Sequence, residues 1–309
     1  MTLPVAVVVV TCNSEQEIRS CLNSIPFVAE IVVVDNGSSD RTVEIVAGFG
    51  PPVRLLANPT NLGFAAAANQ GIGATNSPLV LFLNPDAEIL TSLDEMIAEL
   101  LNLGAGAAGG RLVDENGAPQ TGFNVRAFPS PTVLAAEALL VNRIWPANPI
   151  NRRYRCLDLD LSRPHDVDQP AGAFLMVRRS VLDAIGGFDE RFYPLWFEDV
   201  DLCLRIRRAG YRIRYLPACA ARHRGGHSLE RISVERKQVY WYGSLLGYTD
   251  KHFSAPARWM VRAAVAAGAV LRMTARFGER EERRSYRKVM GLALGRRTGS
   301  TQVQPHALS

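Results

Sequence analysis

The feature that most constrains this chain is a fourfold alternation of short apolar runs with helical segments, each run ending in a small polar cluster. Residues 5–10 are a β-branched run followed by Thr11-Cys12-Asn13, the pattern of a buried strand entering a turn. Ser14 with Glu17 three residues later reads as a capping box, and Ile18, Cys21, Leu22 and Ile25 supply an apolar helical face that Pro26 closes. Residues 31–34 then read as a second strand, ending in Asp35-Asn36-Gly37-Ser38-Ser39-Asp40, with a helix from about 41 to 46. A strand over 53–56, a helix over 62–72 and a strand over 79–83 ending in Asn84-Pro85-Asp86 complete the series. Alternation with short connections predicts an α/β fold with a mostly parallel central sheet flanked by helices, in which ligands bind beyond the carboxyl ends of the strands.

Composition narrows the function classes. At 309 residues and 47% hydrophobic, the chain can build a substantial core, which excludes disorder as the whole answer. Its five cysteines are odd in number, dispersed and free of any Cys-x-x-Cys pair, which excludes a disulfide-stapled scaffold and favours a reducing, cytoplasmic setting. The run at 5–10 is too short for a signal segment or a membrane span, so no N-terminal anchor is expected. No Gly-x-Gly-x-x-Gly follows the first strand, which argues against a dehydrogenase, and no Walker motif is present. A sugar-phosphate nucleotidyltransferase would want a glycine-rich loop after Val10, and there is none.

The ordered series Val-Val-Thr-Cys-Asn, Ile-Val-Val-Val-Asp-Asn-Gly-Ser-Ser-Asp, Asn-Leu-Gly-Phe-Ala-Ala-Ala-Ala-Asn-Gln-Gly and Leu-Phe-Leu-Asn-Pro-Asp resembles glycosyltransferase family 2. The resemblance continues through the segment opening at Gly172, Gly186-Gly-Phe-Asp-Glu, Trp196-Phe-Glu-Asp-Val-Asp and Arg222-His-Arg-Gly-Gly-His-Ser, and so covers roughly residues 5–250. It implies a GT-A fold, with a Rossmann-like nucleotide-sugar-binding half over 1–110 and an acceptor-binding half over 111–250. It also implies inverting sugar transfer from a nucleotide-diphosphate sugar, with Mg2+ or Mn2+. The Asn-Leu-Gly-Phe and Asn-Pro-Asp forms look most like bacterial rhamnosyltransferases, so the expected donor is dTDP-rhamnose ahead of a UDP-sugar. The expected acceptor is a glycan or lipid-linked glycan of the cell envelope. A non-catalytic nucleotide-sugar-binding or assembly protein is the alternative.

Chemistry and resemblance together nominate residues. Displacing a nucleoside diphosphate builds negative charge on the leaving group, which calls for a cation held by carboxylate. Asp86 stands where the family's Asp-x-Asp motif ends, although Asn84 replaces its first carboxylate. Asp35, at a strand end, can accept the imide N–H of uracil or thymine, and by resemblance it reads the base. Thr11, Asn13 and Asn36 are expected beside it, with Asn69 and Asn84 also on the nucleotide side. An acceptor hydroxyl needs a general base, and the resemblance favours Asp199, with Glu198 touching acceptor or scaffold. Those acids also suit a first helical turn, and Asp201 can pair with Arg205 one turn on. Trp196 is a candidate to stack on substrate sugar, whereas Phe197 is expected to pack. His223 is carried over as a metal ligand, His227 is not, and Arg222 and Arg224 are candidates to clamp diphosphate.

Charge is unevenly spread. Residues 1–100 hold three Arg and eleven acids, net −8, whereas residues 251–309 hold twelve basic residues and three Glu, net +9. Residues 251–297 read as a basic amphipathic helical extension, with an apolar-and-arginine helix over 256–276, and 298–309 as a flexible tail. That helix either packs on the domain or lies in an anionic membrane interface, which would place the protein on the inner face of the plasma membrane. No nucleic-acid partner is expected, because no stacking motif accompanies the basic tail. A homo-oligomer is left open.

Overall fold

The computed structural model describes residues 2–102, 104–225, 232–274 and 280–296. In chain order the strands are β1 (Leu3–Thr11), β2 (Val28–Asn36), β3 (Val53–Asn58), β4 (Leu79–Leu83), β5 (Ala87–Ile89), β6 (Ala107–Val113), β7 (Val125–Arg126), β8 (His165–Asp166), β9 (Gln169–Pro170), β10 (Phe174–Arg178) and β11 (Ile213–His223). The helices are α1 (Ile18–Ser24), α2 (Thr42–Ala47), α3 (Phe64–Gly73), α4 (Asp94–Asn102), α5 (Pro131–Ala138), α6 (Val141–Ile144), α7 (Pro149–Tyr154), α8 (Arg179–Ile185), α9 (Glu198–Arg208), α10 (Val234–His252), α11 (Ala255–Thr274) and α12 (Arg280–Ala293).

The main sheet runs β3-β2-β1-β4-β10-β6-β11-β5, with β8 on β11. The first four strands are mutually parallel, and β10 enters antiparallel between β4 and β6. Side-chain alternation splits the core across the two faces of this sheet. Val5, Val7, Val9, Leu79, Leu81 and Leu83 pack with Ile18, Cys21 and Leu22 of α1 and Met96 and Leu100 of α4. Val8, Val80 and Phe82 face the other way, onto Ala65, Ala68 and Ile72 of α3 and Leu202, Cys203 and Ile206 of α9. Burial on both faces is why these strands read as unbroken apolar runs, each large aliphatic side chain contributing about 1.5–3 kcal/mol. The alanine face of α3 allows close approach: a Cβ on Gly71 would stand 2.3 Å from Cγ1 of Val8.

The first helix begins later than its sequence suggests. Helix α1 starts at Ile18, and Glu17 precedes it with no side-chain cap. Ser14 serves through its backbone: its carbonyl accepts from Glu17 and Ile18, and its N–H donates to Oγ1 of Thr42 at 2.8 Å. Residues 14–17 are thus a turn tied to the β2–α2 loop rather than a capping box.

The chain divides into two compact units, each made of more than one stretch of sequence. The first comprises residues 1–128, 152–190 and 198–231, and contains the sheet; the second comprises 129–151, 191–197 and 232–309. In the second unit α10, α11 and α12 pack together and α5 lies on α11, so closely that a Cβ on Gly268 would stand 2.0 Å from the Ala138 carbonyl oxygen. In α11 two arginines turn inward and an apolar face turns outward. Arg262 turns inward to Asp250 at 2.6 Å and to the carbonyls of Leu292 and Ala293, and Arg272 turns inward to the Ala138 carbonyl. Trp259, Met260, Val270 and Leu271 face outward, Trp259 being 72% exposed. Among the described residues no helix is long and apolar enough to cross a membrane. Arg276, Phe277 and the terminal stretch 298–309 lie outside the described residues.

Candidate active site

The carboxyl ends of β1, β2 and β4 form one rim, and polar residues occupy it. Thr11 is in register with Asp35 across the β1–β2 pair; both are buried, and Oγ1 of Thr11 has no hydrogen-bond partner. The Asp35 carboxylate accepts from the Ser38 backbone N–H at 2.9 Å and from the Ser38 hydroxyl. Asn13, at φ 54°, uses its carbonyl to receive the Ser39 N–H at 2.8 Å, while its own N–H donates to Oγ of Ser38. Asn36 has its amide engaged at both ends. Its Nδ2 donates to Asn61 Oδ1 and the Gly63 carbonyl, both at 3.1 Å, and its Oδ1 accepts from the Leu62 N–H at 2.9 Å. Asn69 reaches across to the Gly-Gly-Phe-Asp-Glu segment, where its amide exchanges hydrogen bonds with the Phe188 backbone and donates to Glu190 at 2.9 Å. In this structure Asn13, Asn36 and Asn69 therefore hold loops of the rim.

At the end of β4 the arrangement is different. Oδ1 of Asp86 and Nε2 of His223 lie 3.5 Å apart, both largely buried, and Asn84 Nδ2 also stands 3.5 Å from Nε2. The other Asp86 oxygen accepts from the Gly225 N–H at 3.1 Å. Gln120 sets the state of the ring: its Nε2 donates to the His223 carbonyl, which leaves its Oε1 to accept from Nδ1 at 3.1 Å. Phe123 stacks on the imidazole, 5.3 Å away and 8° from parallel. Burial pushes the His223 pKa down against the opposing pull of Asp86, and the Gln120 bond puts a ring proton on Nδ1, which leaves Nε2 to turn toward the carboxylate. Two electron-rich atoms facing each other suit a shared cation, with a ligand histidine oriented through its far nitrogen. Among the described residues no group of three or more His, Cys, Asp or Glu side chains is placed to hold a metal. One carboxylate and one imidazole would suit a divalent ion that takes few ligands from the protein. Arg222 and Arg224 both pair with Glu88, at 2.9 and 3.8 Å, and Arg224 also with Glu115. His227 and Ser228 lie outside the described residues.

The acidic pair begins α9. Asp199 accepts from Nε2 of Gln169 at 3.0 Å and stands against Gly172, where an added Cβ would come within 3.0 Å of the Asp199 Cβ and 3.2 Å of Oδ2. Gly172 leads into Ala173, whose carbonyl accepts from the Asn84 N–H at 3.0 Å, so Asp199 belongs to the rim that carries Asp86. Glu198 is buried and its Oε2 has no partner; burial first, then the Asp199 charge, raises its pKa well above the usual carboxylate range. Asp201, fully buried, pairs with Arg205 at 2.7 Å one turn on and is structural. Trp196 and Phe197 both adopt left-handed backbone, φ 73° and 67°, which bulky side chains rarely do. Phe197 packs beside Tyr248 and Trp241, whereas Trp196 lines an open pocket of the second unit. Gln120, Phe123 and Gln169 carry no motif signal in the sequence; only the fold brings them to His223 and Asp199.

The family described as Glycosyl transferase family 2 matches residues 6–186, and one described as Glycosyl transferase family group 2 matches residues 155–278. An N-acetylglucosaminyl-diphospho-decaprenol L-rhamnosyltransferase of Mycobacterium tuberculosis is 31% identical over 317 residues, covering 96% of this chain and 100% of the relative. Among solved structures, GalNAc-T7 with UDP, GalNAc and Mn2+ superposes with a TM-score of 0.58 at 13% identity, over 95% of this chain and 56% of that one. S. aureus TarS gives 0.53 at 18% identity, over 97% of this chain and 50% of TarS. These two similarities speak to the fold alone. Sheet and similarity together define a glycosyltransferase of the GT-A class. The chain belongs to glycosyltransferase family 2.

Proposed function

We propose that the protein is an inverting transferase that moves L-rhamnose from dTDP-rhamnose to a hydroxyl of a polyprenyl-diphosphate-linked glycan in cell-envelope synthesis. The observation that carries the reading is Asp199, a half-buried carboxylate positioned by Gln169 and Gly172 on the rim that also presents Asp86 and His223. In the reaction the acceptor oxygen attacks the anomeric carbon from the face opposite the diphosphate. Its proton passes to Asp199 as the bond from the anomeric carbon to the diphosphate oxygen breaks. Asp35 and Thr11 hold the base and nucleoside, with Asn13, Asn36, Asn69 and Asn84 keeping the surrounding loops in place. Asp86 and His223 would hold Mg2+ or Mn2+, which would supply positive charge against the leaving diphosphate. The rhamnosyl donor and the lipid-linked acceptor are supported by the mycobacterial relative's name and by the Asn61-Leu62-Gly63-Phe64 and Asn84-Pro85-Asp86 forms.

A lipid-linked acceptor places the enzyme at a membrane surface, and the outward apolar face of α11 supports an interfacial seat there. Trp259→Asp with Leu271→Asp should abolish sedimentation with anionic liposomes while nucleotide binding persists; unchanged sedimentation would remove α11 from that role. The central test is calorimetric titration with dTDP, UDP, GDP and ADP, with and without Mg2+ or Mn2+. Metal-strengthened binding of dTDP or UDP, lost in Asp35→Ala and Asp86→Ala, is the expected result, and binding of none of the four would overturn the transferase reading.

A further inference from the structure

The second unit contains an aromatic pocket that the chemistry above does not use. Its volume is about 300 Å³, and Trp196, Trp241, Tyr242 and Tyr286 form its walls with Glu137, Lys237 and Gln238 between them. Four rings from three separate segments meet there, and one of them, Trp196, is held in place by the left-handed backbone at 196 and 197. Such outliers persist where the surroundings fix them, and they cluster at binding sites.

The polar groups decide what the pocket can hold. Arg272 already lies over the rings of Tyr286 and Tyr242, at 5.4 and 6.0 Å, so a quaternary or lysine-like cation would meet occupied faces and a like charge. Glu137 is engaged by Nδ2 of Asn142 at 2.6 Å, and Oε1 of Gln238 receives the Ser285 hydroxyl, which leaves the Gln238 amide N–H groups to donate. Lys288 and Arg284 pair with Glu235, but Lys237 has no carboxylate partner among the described residues. The three polar side chains make an all-hydrocarbon ligand a poor fit. Flat aromatic walls stack on the C–H face of a pyranose, a free ammonium takes an anionic substituent, and the volume sits at the small end of ligand pockets, room for about one ring.

We infer that this pocket binds a pyranosyl phosphate, the sugar ring against Trp196 and Trp241 and the phosphate on Lys237. Resting on the acceptor class proposed above, the ligand has the chemistry of the acceptor's first, phosphate-bearing sugar. The probe is N-acetylglucosamine 1-phosphate, titrated into the full chain while the intrinsic fluorescence of the tryptophans is followed. Saturable binding with a spectral shift is expected. Lys237→Gln should weaken it at least tenfold and Trp241→Ala more, with the affinity for dTDP or UDP unchanged in both. Lys237→Gln keeps the test valid should the tryptophan variant fail to fold. Equal affinity for inorganic phosphate, displacement of the probe by dTDP, preferential binding of choline, or no response to Lys237→Gln would each overturn the assignment. An enzyme that transfers sugar with an acceptor KM indifferent to Lys237→Gln overturns the pocket and leaves the transferase reading standing. A chain that binds the probe through Lys237 but binds no nucleotide does the reverse.

Discussion

Two stretches of the same rim are built from similar residues and have opposite hydrogen-bond economies. Around β1–β3, Asn13, Asn36 and Asn69 spend their amides on Ser39, on residues 61–63 and on residues 188–190, and Asp35 has taken both Ser38 donors, the Thr11 and Ser14 hydroxyls being the buried exceptions. Around β4, α9 and β11 more is left open: Glu198 Oε2 has no partner, and Asp86 Oδ1 faces His223 Nε2, which only the Asn84 amide approaches, at 3.5 Å. Saturated polar groups rigidify the loops they join, whereas buried groups with open valence are costly unless something fills them. The first stretch shapes the pocket and the second awaits substrate and cation. Mutation at the second should cost turnover with little loss of stability, and mutation of the loop-holding asparagines of the first the converse, Asp35 being set apart by its proposed hold on the base.

The largest effect expected is at the general base. Asp199→Asn keeps the hydrogen-bonding shape but cannot take a proton, so turnover should fall by roughly 10²–10⁴-fold while calorimetry gives an unchanged nucleotide affinity. Transfer at the wild-type rate would strip Asp199 of its role. Next comes its positioning. Gly172→Ala brings a Cβ within 3.2 Å of Oδ2 of Asp199, and displacing a catalytic group by a fraction of an ångström to an ångström costs up to about 10²-fold. A kcat loss of tenfold or more with little change in donor KM is the expected signature; a loss confined to donor KM would mean that Gly172 serves the nucleotide instead.

The opposite side of the comparison is tested at Asn36. Asn36→Ala strands the Leu62 N–H and takes from the Gly63 carbonyl one of its two donors, the Ala67 N–H remaining, and should cost about 1–3 kcal/mol of stability, read as a lowered denaturation midpoint. The folded fraction should turn over at close to the wild-type kcat. If kcat collapses while the midpoint holds, Asn36 belongs with the open groups and the division fails.

These differences explain what the sequence could and could not convey. Strand runs such as 79–83 and the helix 198–208 are legible because burial on two faces and an acidic first turn are written in consecutive residues. The Asp201–Arg205 pair is legible for the same reason: both partners lie on one helix. Gln120 and Gln169 are not, because each acts on a residue 103 or 30 positions away and is an ordinary glutamine until the sheet closes. The start of α1 was obscured because the Ser14 N–H is tied to the Thr42 hydroxyl of another loop, and the Ser14 hydroxyl, buried without a partner, caps nothing. For α11, composition gave a helix with arginines but not its orientation, which Asp250 and the ends of α5 and α12 decide.

The smallest effect, and the most discriminating, concerns Glu198. Its pKa is raised by burial and by Asp199, so the folded state binds a proton that the unfolded chain has already released over the interval above the ordinary carboxylate value. Stability from this group is therefore full below about pH 4.5 and is lost as pH rises toward the folded-state pKa. Glu198→Gln retains the shape without the charge. Its Tm should match wild type near pH 4.5 and exceed it increasingly toward pH 8, each kcal/mol recovered being worth roughly 2–4 °C in a chain of this size. Thermal melts across that range decide the matter: a pH-independent difference would mean that Glu198 has found a buried partner and belongs to the saturated half of the rim. Activity supplies the second readout. If the open Oε2 receives the acceptor, Glu198→Gln raises acceptor KM while leaving donor binding alone, so one substitution should stabilise the protein and weaken its grip on substrate.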